Sequence, residues 1–158
     1  MGGIRSMKFN DSVLFTADVA GCSLAYKVQG QGPPVVFIQG VGLHGDGWLP
    51  QTAFLSSEFR CLTFDNRGVG RSNPPGAPIT VGRMASDTLA VMDAAGFDAA
   101  HLVGHSLGGI VAEQIALANP ERVMSLSLLC TSARGSDATR LRWKLMWLGL
   151  RSRVGCPG

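Results

Sequence analysis

An α/β fold, built on a mostly parallel sheet with helices on both faces, is predicted by three features of the sequence. Short apolar runs such as Val35-Val36-Phe37-Ile38 lack polar alternation, as strands covered on both faces do. Single strand-like runs alternate with single segments of helical periodicity, the pattern of parallel strands joined by crossover helices. The joins are glycine-rich and follow directly on the strands, at Gly40 to Gly47, at Gly68 to Gly70 and at Gly104 to Gly109.

In chain order, Val13 to Val19 and Cys22 to Gln29 alternate apolar and polar residues around Gly21, predicting an antiparallel pair with a tight turn. Gly30-Gln31-Gly32-Pro33-Pro34 breaks the chain before the apolar strand Val35 to Ile38, a candidate central strand. The glycine-rich loop 40–47 leads into a short helix from about Trp48 to Ser57, with Pro50 tolerable in its first turn. Arg60 to Phe64 reads as a strand and Asp65 to Ser72 as a turn-rich loop, kept irregular by Pro74, Pro75 and Pro78. From Thr80, a capping residue, Val81, Met84, Thr88, Val91, Met92 and Ala95 recur at helical spacing, and Gly96 is the stop signal. Ala99 to Val103 is the next apolar run, Ile110 to Asn119 the next helix, ended by Pro120, and Val123 to Cys130 a final apolar strand.

Between the last two lies Gly104-His105-Ser106-Leu107-Gly108-Gly109, a G-x-S-x-G pattern with a strand before it and a helix after it. That is the context of a nucleophile elbow, where a very tight turn exposes a serine at the top of a sheet. Gly104 and Gly108 fit a turn so close that a Cβ would collide, and Ser106 is expected to hold a strained backbone conformation.

At 158 residues and 46% hydrophobic content the chain is sized for one globular domain. No run is long enough to cross a bilayer and no leader is evident, so a soluble cytoplasmic protein is expected. Met1 to Ser6 matches an N-myristoylation pattern, but so short a match is cheap and Met7 offers another start. Cys22, Cys61, Cys130 and Cys156 form no C-x-x-C pair, which disfavours zinc and redox motifs, and three of them sit in apolar runs where burial is expected. Up to Ala133 there are eight basic and ten acidic residues, and from Arg134 six basic and one acidic. A boundary is therefore placed there, between 1–133 and 134–158. The basic segment, with Trp143, Trp147 and several leucines, reads as an orphaned cap helix in preference to a membrane-surface helix.

Four features in one order resemble the α/β-hydrolase superfamily, in its branch of esterases, lactonases, C-C hydrolases and cofactor-free haloperoxidase-like enzymes. They are Gln39-Gly40-Val41-Gly42 after the apolar strand, Trp48 beyond it, the run from Phe64 to Ser72, and the elbow. The resemblance spans most of residues 13 to 132. It implies the α/β-hydrolase fold in part, strands one to six with the C-terminal strands missing: 1–133 as the N-terminal part of the core and 134–158 as the start of a cap, with truncation or a frameshift as the expected cause. It assigns Ser106 as nucleophile and the backbone N–H groups of Val41 and Leu107 as the oxyanion hole. Leu107 opens a helix, so its N–H has no partner inside that helix and the dipole favours negative charge there. Where the family has His-Gly, this chain has Gln39-Gly40. A serine nucleophile also argues against the dehalogenase and epoxide hydrolase branches, which use aspartate. Asp65, Arg67 and Ser72 match a loop with a structural role, in which an Asp-Arg pair pins loops.

The family order is serine, acid, histidine, yet His44, His101 and His105 all precede Ser106. No triad histidine is therefore assigned. His44 alone is placed to approach Ser106, and a solvated loop histidine is the preferred reading. Asp137 is the candidate acid, by analogy with members that carry it after the sixth strand. Without its base the chain alone is expected to be inactive or nearly so. No cofactor, metal or nucleic acid is expected. The expected partners are a small ester-like substrate in an intact enzyme and, through the bare edge Val123 to Cys130, another chain. Two alternatives stand beside this reading. One is a non-catalytic binding module of the same shape. The other is a dinucleotide-binding protein, since Gly40 to Gly45 reads G-x-G-x-x-G and Asp65 ends the next strand.

Overall fold

The computed structural model describes residues 14–72 and 78–131. β1 (Leu14–Val19) and β2 (Cys22–Gln29) form the antiparallel pair. Ala20 and Gly21 both take positive φ, 45° and 78°, as a two-residue turn matched to strand twist requires. β3 (Pro34–Ile38) leads through a 3₁₀ turn (Gly45–Trp48) into α1 (Leu49–Leu55), and β4 (Arg60–Phe64) follows. Then come α2 (Val81–Ala94), β5 (Ala100–His105), α3 (Leu107–Ala118), a second 3₁₀ turn (Pro120–Arg122) and β6 (Val123–Leu129). Thr80 caps α2 as the sequence suggests, its hydroxyl accepting the Arg83 N–H at 3.2 Å.

The six strands lie in the order β1-β2-β4-β3-β5-β6. β2 meets β4 antiparallel, whereas β4-β3, β3-β5 and β5-β6 are parallel. β3 is central, between β4 and β5. Its uninterrupted apolar sequence follows from that place. Val36 and Ile38 face one cluster, with Leu62, Phe64 and Leu102 beside them and Met84, Val91, Met92, Val111 and Ile115 from α2 and α3 above. Val35 and Phe37 face the other way, with Cys61, beneath Trp48. Burying each such side chain contributes about 1.5–3 kcal/mol, and neither face could be polar.

Several boundaries differ from the sequence reading, by one residue at β3 and β6 and by more at three elements. β5 runs on to His105 because its pairing with β3 and β6 continues through Gly104 and His105. α3 starts at Leu107, immediately after the serine, and α1 is only seven residues long. Cysteine burial holds for Cys22 and for Cys61, whose thiol burial pushes up to about 11, but fails for Cys130, which is exposed. The reason is local: Cys130 takes φ 50° just past a strand whose side chains face solvent. Residue 13, the 133/134 boundary, the basic segment and Asp137 fall outside the described residues. Among the described residues no helix is long and apolar enough to cross a membrane.

Candidate active site

Ser106 sits between β5 and α3 with φ 54° and ψ −117°, a backbone region that an L side chain rarely adopts. Three glycines make that conformation possible by letting backbones touch. A Cβ on Gly104 would lie 2.5 Å from the Gly108 carbonyl oxygen, and one on Gly108 would collide with the Ile38 carbonyl at the end of β3. A Cβ on Gly40 would lie 3.1 Å from the Ser106 Cβ, so the loop leaving β3 rests against the serine. The Ser106 N–H donates to the Leu129 carbonyl at 2.9 Å, and its carbonyl accepts from Gly109 at 3.0 Å. Its side chain makes no capping hydrogen bond. The turn is thus fixed through backbone atoms, and among the described residues the hydroxyl has no hydrogen-bond partner.

The two residues expected to supply an oxyanion hole are Leu107 and Val41. Leu107 is the first residue of α3, where no intrahelical acceptor exists and the helix dipole is positive. In the facing loop the Gly40 N–H is taken by the Gln39 side-chain oxygen at 3.3 Å, while the Gln39 carbonyl accepts from Asn66 Nδ2 at 3.0 Å. Val41, the next residue, is exposed. Gln39 therefore supports the loop internally, in the place where the family pattern has histidine.

The histidines go elsewhere. His105 turns its ring edge-on to Trp48, with centroids 6.4 Å apart. His101 Nδ1 lies 2.7 Å from Ser125 Oγ, at the opposite end of β5 from the serine. His44 Nδ1 lies beside Gly70 and the Asp65 carboxylate, on the neighbouring loop. None makes a hydrogen bond to Ser106 among the described residues.

The loop from Asp65 to Ser72 is a different construction, wired by side chains. Asp65 is fully buried and accepts from the Gly45 N–H at 2.8 Å, the Arg71 N–H at 3.0 Å and Arg71 Nε at 2.9 Å. Burial pushes its carboxyl up, but those bonds from Arg71 and Gly45 outweigh it and leave the carboxyl below its ordinary range. Asp46 behaves alike: desolvation opposes ionisation, and Lys27 at 2.8 Å with Arg71 at 3.0 Å prevails. Ser72 Oγ donates to the Asp65 carbonyl at 2.6 Å and accepts from the Ala25 N–H at 2.9 Å. The expected Asp65–Arg67 pair does not form. Arg67 reaches Asp87 on α2 through Nε at 2.6 Å and Nη2 at 2.5 Å, a buried bidentate pair, and that hydrogen bonding raises the guanidinium's affinity for its proton. The sequence did hold a signal for Asp87. It falls with Met84, Thr88 and Val91 on the apolar stripe of α2, where a carboxylate needs a cation.

The same wiring removes the dinucleotide reading. The Asp65 carboxylate is enclosed and engaged, with no face for a ribose, and the 40–45 loop opens into a 3₁₀ turn and a seven-residue helix that would offer a weak dipole to a pyrophosphate. Among the described residues no group of three or more His, Cys, Asp or Glu could hold a metal ion.

Known proteins resemble this chain in sequence and in fold. The family model described as alpha/beta hydrolase fold matches residues 33–154. A curated protein of Azorhizobium caulinodans named as a carbamate hydrolase, RutD, is 38% identical over 117 residues, 74% of this chain and 44% of its own length. Among solved structures, a hydrolase from Pseudomonas aeruginosa superposes with a TM-score of 0.73 at 38% identity, covering 78% of this chain and 48% of that one. An enol-lactonase from Burkholderia xenovorans superposes with a TM-score of 0.72 at 33% identity, covering 75% and 47%. The chain thus spans less than half the length of the relatives it matches.

Proposed function

This chain belongs to the α/β-hydrolase fold family, and from that premise we propose that it carries the nucleophile and oxyanion hole of a serine hydrolase acting on ester or other acyl-type bonds. The observation that carries the reading is the strained, glycine-packed Ser106 with its hydroxyl uncommitted at the head of α3. In the proposed reaction Ser106 Oγ adds to the acyl carbonyl carbon, its proton passes to a base, and the carbonyl π electrons move to oxygen. The N–H groups of Leu107 and Val41 receive that negative charge. Collapse of the intermediate expels the alcohol or amine, which takes up the proton, and water then releases the acid. Similarity to proteins named as a carbamate hydrolase and an enol-lactonase supports an acyl carbonyl as the electrophile.

These 158 residues hold no histidine after Ser106. On their own they are expected to turn over p-nitrophenyl esters barely above background, since loss of the base from a comparable triad costs on the order of 10⁶ in kcat. Supplying the remaining half of a close relative in trans is expected to produce hydrolysis that Ser106→Ala abolishes. Brisk turnover by the chain alone, lost in Ser106→Ala, would make His44 the first base to test. Turnover indifferent to Ser106→Ala would overturn the nucleophile assignment. The second reading is a binding module of hydrolase shape, and failure of complementation by a folded, associated half would support it.

A further inference from the structure

An oxyanion hole works through donors set in place before charge arrives, so what holds each donor decides what the pair can do. Leu107 is held by α3 and by an elbow locked at Ser106 through the Leu129 carbonyl and the Gly109 N–H. Val41 stands in a loop. β3 leaves its ladder at Ile38, paired with Gly104, and the Asp65 carboxylate next grips the chain at the Gly45 N–H. Between those two points, among the described residues, one side chain from another segment bonds the loop: Asn66, whose Nδ2 donates to the Gln39 carbonyl at 3.0 Å.

That bond holds more than one atom. The Gln39–Gly40 peptide unit is planar, its carbonyl taken by Asn66 and its N–H by the Gln39 side-chain oxygen at 3.3 Å, so the plane is held from both sides. Only the two backbone torsions of Gly40 separate it from the Val41 N–H, and Gly40 is itself packed against the elbow. A Cβ there would lie 3.1 Å from the Ser106 Cβ and 3.3 Å from the His105 carbonyl oxygen. The Gln39 carbonyl oxygen also lies against α3, where a Cβ on Gly108 would come within 2.8 Å of it. One oxygen thus meets Asn66 on the loop after β4 and the neighbour of Leu107 on the helix, and its position sets the spacing between the two expected donors.

Asn66 is anchored in its turn. Its carbonyl accepts from the Val69 N–H at 2.9 Å, and the residues on either side, Asp65 and Arg67, are each engaged in an ion pair. Asn66 and Gln39 are both buried. In so dry a place a carbonyl left without its donor costs its full desolvation, and a loop relieves that cost by shifting.

We propose that Asn66 is a positioning residue of the oxyanion hole: its bond to the Gln39 carbonyl holds the Gln39–Gly40 peptide plane where the next residue, Val41, presents its N–H to charge developing beside Ser106. This role rests on the assignment of Ser106, Leu107 and Val41 proposed above.

Phenylboronic acid tests it on the isotopically labelled 158-residue chain. Ser106 Oγ forms a bond to boron, its proton passes to the buffer, and the tetrahedral boronate carries the negative charge, a stand-in for the acyl intermediate. The Leu107 and Val41 amide protons are expected to move downfield in the unsubstituted chain and to stay in place in Ser106→Ala. In Asn66→Ala, and in Asn66→Asp at about pH 8, where a carboxylate keeps the volume but has no proton to donate, the Val41 shift is expected to fall by about half or more while the Leu107 shift persists. With the complementing half supplied, both variants are expected to lower kcat on p-nitrophenyl acetate about 10²-fold with KM within about twofold. Asn66→Asp behaving like the unsubstituted chain would mean that Asn66 only fills space, and loss of both amide shifts together would mean that it supports the fold at large. Either result overturns the positioning role and leaves the Ser106 assignment standing. No shift at either amide in the unsubstituted chain, and none once the complementing half is supplied, would overturn that assignment and the positioning role with it.

Discussion

The loop from Asp65 to Ser72 and the elbow at Ser106 stand at the same end of the sheet, on either side of the loop that leaves β3, and they are held by opposite means. In the loop nearly every polar side chain has a protein partner: Asp65 with Arg71 and Gly45, Arg67 with Asp87, Ser72 with Ala25 and the Asp65 carbonyl. In the elbow no side-chain hydrogen bond holds the turn among the described residues, and the shape comes from close approach at Gly104, Gly108 and Gly40. A turn fixed by side chains has none left for chemistry. One fixed by its backbone keeps a hydroxyl free at the price of strain.

That contrast predicts different failures. The largest is expected in the wired loop. Asp87→Ala removes the carboxylate that Arg67 grips through two nitrogens in a dry setting, which should cost about 3–5 kcal/mol in urea unfolding. A loss under about 1 kcal/mol would mean that the pair is not what ties the loop to α2. Next comes the packed elbow. Gly108→Ala drives a methyl into the Ile38 carbonyl, where only backbone can yield, and should cost about 1–3 kcal/mol.

Acid sharpens the comparison further, because the loop's bonds depend on charge, both in Asp65 and in Asp46 of the neighbouring turn, which Arg71 also holds. The folded-state carboxyls of Asp65 and Asp46 lie below their unfolded values, so the folded chain binds fewer protons between the two. Their contribution is fully present above the unfolded value, about pH 4, and is lost as pH falls through the folded one. Arg71→Ala removes the bonds that hold both carboxyls down and should move the acid unfolding midpoint upward. An unchanged midpoint would show that Arg71 does not set their ionisation.

The two constructions also differ in how far sequence reveals them. The elbow is local: strand, glycines, serine and helix lie within about twenty residues of one another, and what moved were boundaries, β5 through its pairing with β3 and β6 and α3 by starting at Leu107. The strands were legible for the same reason, since burial on both faces left continuous apolar runs. The loop's wiring is not local. Arg67 lies two residues from Asp65 in sequence, yet its partner Asp87 is twenty residues on, carried by α2. Gln39 likewise reads as a departure from a family pattern, and only the fold reveals that its side chain holds its own loop through Gly40.

The smallest expected effect is the most direct reading of the elbow's strain. At φ 54° and ψ −117° the Ser106 Cβ opposes the backbone, a conflict of about 1–3 kcal/mol that glycine avoids. Glycine also gives the unfolded chain more freedom, which takes back part of that gain. Ser106→Gly should therefore raise stability by about 1 kcal/mol over Ser106→Ala, which loses the hydroxyl but keeps the Cβ. Both remove the nucleophile, so their difference isolates conformational strain from chemistry. Equal stability of the two would mean that the turn relaxes without cost, and that neighbouring backbone, not residue 106, stores the strain that exposes the hydroxyl.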